Sequence, residues 1–69
     1  MIDTQLLDEK IALSGLRISF IVENLGISRQ AFDKKRKGLS KFRIAEIYVL
    51  ADLLKLTLEE KIKIFYPKS

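Results

Sequence analysis

Neither cysteine nor histidine occurs in the 69 residues, which removes both the disulfide staples that short chains often depend on and the usual ligands of a structural zinc site. The core must hold the fold by itself. The longest uninterrupted apolar run, Ile47 to Ala51, is far short of the roughly 20 residues that cross a bilayer. Met1 to Gln5 lack the basic start and long apolar run of a secretory signal, so an intracellular, cytoplasmic chain with no membrane partner is expected. There is no glycine-rich phosphate loop and no carboxylate cluster with metal-ligand spacing, and Glu59 and Glu60 are accounted for by helix capping. An enzyme is therefore not expected, nor a metal, a cofactor or a small-molecule substrate. No repeat of about 20 to 50 residues and no low-complexity tract interrupts the chain.

What is present suits one small folded domain, residues 1–69. A composition of 48% hydrophobic and 32% charged residues argues against disorder, although a chain this short buries only about 60% of its unfolded surface. The formal charge is +4, and its distribution matters more than its sum. Between Ser28 and Arg43 lie seven cations (Arg29, Lys34, Lys35, Arg36, Lys37, Lys41, Arg43) and one anion, Asp33, while the rest of the chain carries six cations and eight anions. A basic patch on a nearly neutral body is the footprint of a polyanion-binding surface.

Periodicity and caps predict five helices, at about 4–14, 18–24, 28–37, 43–54 and 58–65, and no strand. Asp3 or Thr4 can cap the first, which carries Leu7 and Ile11 inward with Leu6 and Leu13 flanking, and Gly15 closes it. Ile18, Ile21, Val22 and Leu25 give the second its buried face. Gly26 reverses the chain, Ile27 plugs the corner, Ser28 caps the third helix and Gly38 stops it. Ala31 and Phe32 point that helix inward, leaving Arg29, Gln30, Asp33, Lys34 and Lys37 as a polar stripe at spacings of three and four. The fourth helix has its main apolar stripe at Ile44, Ile47, Tyr48, Ala51 and Leu54, with Val49, Leu50 and Leu53 outside it, so it is apolar over most of its circumference. Thr57 to Glu60 reads as a capping box opening the fifth, with Leu58, Ile62 and Phe65 inward, Ile64 and Tyr66 on another side, and Pro67 ending it.

Two helices joined by so tight a turn, the second loaded with cations, have the grammar of a helix-turn-helix. From about Leu6 to Phe65 the chain resembles the Cro/repressor class of helix-turn-helix domains, the lambda-repressor-like five-helix regulators of temperate phages and bacteria. The most specific segment is Leu25-Gly26-Ile27-Ser28-Arg29-Gln30-Ala31-Phe32, with Gly38 at the distance where that family closes its recognition helix. The resemblance implies an all-α, five-helix domain that binds double-stranded operator DNA as a homodimer, inside a bacterial host cell. It places Arg29, Gln30, Asp33 and Lys34 at the base-reading positions. Side-chain chemistry agrees: arginine grips guanine through two hydrogen bonds, glutamine does so with adenine, and aspartate accepts from cytosine. Asp33 has a second reading, orienting Arg29 one turn earlier.

Arg17 and Ser19 at the start of the second helix, Ser28 at the cap of the third, and Lys37, Lys41 and Arg43 beyond it are the expected phosphate contacts. Lys35 and Arg36 are expected to be simply solvated. The chain departs from the family at three places. Val22 stands where alanine is usual, Lys35 replaces an inward apolar residue and must run its stem along the core with its ammonium in water, and Ile18 and Phe20 replace polar residues.

That last departure sets up the competing reading, an antirepressor or modulator that binds a cognate repressor protein through this face, with Ile18 and Phe20 as contacts. Val49, Leu53, Ile64 and Tyr66, left over from the apolar stripes, are nominated as the surface between two copies or toward another protein.

Overall fold

A computed structural model describes residues 1–68; Ser69, the last position of the single-domain reading, lies outside the described residues. The Asp3 carboxylate accepts from the Leu6 N–H at 3.0 Å, opening α1 (Thr4–Ser14), and Gly15 closes it at φ 70°. There follow α2 (Ile18–Leu25), α3 (Arg29–Arg36), α4 (Ile44–Leu53) and α5 (Leu58–Phe65). No strand occurs among the described residues. The observed limits differ from the expected ones by a single residue at the ends of α2, α3 and α4. No helix of the described chain is long and apolar enough to cross a membrane.

The helices form a compact all-α globule in which α2 packs on α3 and α4, and α1 on α3 and α5. Leu7, Ile21, Phe32, Leu50 and Ile64 are fully enclosed. Phe42, in the segment between α3 and α4, enters the same core and stands edge-on to two rings, with centroids 6.2 Å from Phe32 and 5.6 Å from Phe65. Such T-shaped pairs add to the burial of the rings themselves. One core therefore joins α3, the following loop and α5.

Two apolar faces differ from expectation. Ile47 and Leu50 on α4 and Leu54 at its C-terminal cap are buried together with Glu46, while Ile44 and Tyr48 remain 68% and 62% exposed. A helix that is apolar nearly all round offers periodicity no preferred side; its rotation is set here by Glu46, which turns inward to meet Lys35. On α5, Ile64 and Phe65 are buried, whereas Leu58 and Ile62 are 72% and 48% exposed. The edge bearing Glu60 and Ile64 faces α1, because Lys10 pairs with Glu60 and the Asp3 N–H donates to the Ile64 carbonyl at 2.8 Å. Leu13, expected to flank the core, is exposed.

Candidate nucleic-acid interface

The turn between α2 and α3 is built from three residues with separate tasks. Gly26 adopts φ 70° and ψ 29°, and its N–H donates to the Val22 and Glu23 carbonyls at 2.9 and 3.2 Å. This is left-handed backbone, which a side chain makes costly. Ile27 is half-buried against the core. Ser28 caps α3, its Oγ accepting from the Ala31 N–H at 3.1 Å. At the other end, the Gly38 N–H donates to the Lys35 carbonyl and the Leu39 N–H to the Lys34 carbonyl, closing α3 in a Schellman motif.

Phe32 and Lys35 face inward from α3, so at about 100° per residue the opposite arc carries Arg29, Gln30, Asp33, Lys34 and Lys37. Of these, Arg29, Gln30, Lys34 and Lys37 are exposed and Asp33 is half-buried. The five side chains that sequence reasoning grouped thus share one outer stripe. Arg29 Nε lies 3.6 Å from Asp33 Oδ1, and Arg36 Nη2 lies 3.2 Å from the same oxygen. Asp33 is thereby drawn into its second reading, as a brace between two arginines.

Arg17 is the N-terminal cap residue of α2 without a side-chain cap of its own, and both it and Ser19 are exposed. Lys41 and Arg43 are exposed on either side of the buried Phe42. Among the described residues, Arg17, Lys34, Lys37, Lys41 and Arg43 take part in no ion pair, leaving five cations available to an external anion. Ile18 is half-buried and Phe20 exposed; the Phe20 carbonyl accepts from Asn24 Nδ2 at 2.9 Å.

Solvation of Lys35 and Arg36 is not what the structure has. Lys35 Nζ lies 2.6 Å from Glu46 Oε1, with 12% and 7% of the two side chains exposed. Its ammonium is thus spent inside the protein rather than delivered to water. Burial would raise the Glu46 carboxyl, but hydrogen bonds from Lys35 and from the Arg43 N–H, with the positive charge of both residues, outweigh it and hold the group below the ordinary glutamate value. Arg36 is turned toward α1, its Nε 3.7 Å from Asp8 Oδ1 and its guanidinium 5.7 Å from the centre of the Phe32 ring. The surface patch is therefore smaller than the charge count suggests.

Glu46 is the residue that sequence reasoning missed. Its position three residues after Arg43 is the signal that could have found it, since a glutamate at the third helical position reaches back to the cap N–H. Of the six apolar residues nominated for partner contact, four come from the fourth and fifth helices; of these Ile64 is fully buried and drops out, because its face of α5 is held on α1, while Val49 and Tyr66 are exposed and Leu53 is half-buried. No family model, curated protein or solved structure matches the chain.

Proposed function

We propose that this chain is a sequence-specific DNA-binding regulator of the Cro/repressor helix-turn-helix type, acting by occupying an operator and obstructing transcription. The observation that carries the reading is the outer stripe of α3. Arg29, Gln30 and Lys34 stand exposed on a helix that follows a tight glycine turn, and Lys34 with Lys37, Lys41 and Arg43 after it takes part in no ion pair within the described chain. Arg29 and Gln30 lie in the first turn of α3, the part of such a helix that reaches base edges. Arg29, steadied by Asp33, is suited to guanine and Gln30 to adenine. Arg17, Ser19, the Ser28 end of α3, Lys37, Lys41 and Arg43 supply backbone contacts that set register. Two copies bound about 34 Å apart would read a palindrome. Val49 and Leu53 then offer the contact between copies.

A salt titration of the protein with the DNA flanking its own gene tests this. Four to six phosphate contacts predict a log–log slope of roughly −4 to −5. A slope near zero would discredit the reading.

One observation favours a second reading. Phe20 is exposed on α2, whereas Ile18, two residues earlier and so on another side of the helix, packs against the core; holding phosphate has little use for an exposed aromatic group. An antirepressor that docks this face on a cognate repressor would use it. A mobility shift of operator DNA by the protein alone favours the first reading; a shift seen only when the repressor is present favours the second.

A further inference from the structure

We propose that the outer face of α4 and α5 is a trough for an acidic amphipathic helix of a partner protein. Two hollows, of about 430 and 180 Å³, lie side by side and share Ile44, Ile47 and Tyr66 in their walls. Ile44 and Tyr48 stand one turn apart on α4. Leu58 and Ile62 stand one turn apart on α5, and Tyr66, the residue that caps its end, continues the four-residue spacing, a ladder of about 12 Å at 1.5 Å per residue. All five are exposed. Scattered exposed apolar residues need no explanation, but five lining one continuous depression mark an interaction surface. A ladder of two turns matches the i, i+4, i+7 anchors of a helix laid in a groove.

Charge decides between occupants. No carboxylate lines either hollow; the charged side chains there are Lys41 and Lys61. Lys61 Nζ sits 3.7 Å from the centre of the Tyr48 ring, at the rim of the apolar floor. Glu59, on the solvent side of α5, is paired with Lys63 at 3.4 Å, and Asp52, one turn beyond Tyr48, lines a neighbouring hollow together with Lys55, Leu58 and Lys61. A second copy seated by two-fold symmetry would bring the same cations into one interface, which like-charge repulsion opposes. A helix with leucine-type anchors and flanking carboxylates satisfies both the floor and the rim. No residue of α3 lines the trough, and of the residues assigned to DNA only Lys41 does, so Tyr48 and Lys61 test the inference apart from the DNA reading.

The test uses the whole protein and two labelled helical peptides of about four turns with leucine at i, i+4 and i+7, one filled with glutamate and the other with lysine. Fluorescence anisotropy should show the acidic peptide binding at least about tenfold more tightly. Tyr48→Ala should weaken it by a similar factor, and Lys61→Glu should reverse the preference. Equal binding of both peptides, binding of neither, or a preference that Lys61→Glu leaves unchanged overturns the proposal. So does self-association of the protein alone, by sedimentation, that Tyr48→Ala abolishes, because a second copy then fills the trough.

Discussion

Lys35 on α3 and Glu46 on α4 form a buried ion pair, and the Glu46 oxygen that accepts from Lys35 Nζ at 2.6 Å also accepts from the Arg43 N–H at 2.9 Å. Two donors therefore converge on one carboxylate carried by α4: the inner side of the proposed reading helix and the backbone of the segment carrying Lys41 and Arg43. The orientation of α3 and the placing of those two cations are mechanically one unit.

Lys35→Met should destabilise the protein by about 3 kcal/mol, since it strands a buried carboxylate. Adding Glu46→Leu should recover most of that loss, because an apolar pair of similar volume needs no desolvation of charge. Urea denaturation midpoints of the two variants check this; equal loss in single and double variants would contradict it.

The same carboxylate gives the fold an acid limit. With its folded-state value below the ordinary one, Glu46 contributes stability that is complete above the unfolded value, near pH 4.5, and is lost as pH falls through the lower folded value. Glu60 shares the direction, through hydrogen bonds from Lys10 and then from the Thr57 N–H, but its exposure to solvent makes its share small. Denaturation midpoints measured down the acid limb should fall less steeply for Glu46→Gln than for the parent.

On DNA, Arg29→Ala and Lys41→Ala should separate. Arg29→Ala should cost about 1–3 kcal/mol on the preferred operator and relax selectivity at one base pair. Lys41→Ala should weaken all sequences alike and flatten the salt slope by about one. Anisotropy titrations on specific and scrambled duplexes at several salt concentrations measure both, and identical losses on every duplex would undo the division of roles.

Backbone conformation predicts opposite effects at two turns. α4 closes in a Schellman motif like that of α3, with the Lys55 N–H donating to the Asp52 carbonyl and the Leu56 N–H to the Ala51 carbonyl, but Lys55 takes the left-handed position at φ 54° where α3 has Gly38. Lys55→Gly should stabilise by about 1 kcal/mol, raising the melting temperature by roughly 4–8 °C for a domain of this size. Gly26→Val should lower it by at least as much. A Cβ at Gly26 would meet nothing within 4 Å, so the loss there reports strain rather than collision.

Features written in local chemistry were legible in the sequence. Asp3, Gly15, Gly26, Ser28 and the Thr57–Glu60 box act within three or four residues of themselves, and all sit at the helix ends where they were expected. The outer stripe of α3 followed from the same short-range spacing. What escaped was decided across the fold. Lys35 and Glu46 are eleven residues apart, and the choice of Ile64 over Ile62 for the core depends on Lys10 and Asp3 at the far end of the chain. Periodicity cannot rank the sides of a helix that is apolar on most of them.

Phe42, clasped edge-on between Phe32 and Phe65, roots the connection between α3 and α4 at its midpoint, so the charged neighbours on either side start from fixed stations. Capturing a polyanion there would demand little freezing of the chain, and the entropic penalty of association would fall on side-chain rotors and released ions instead of the backbone.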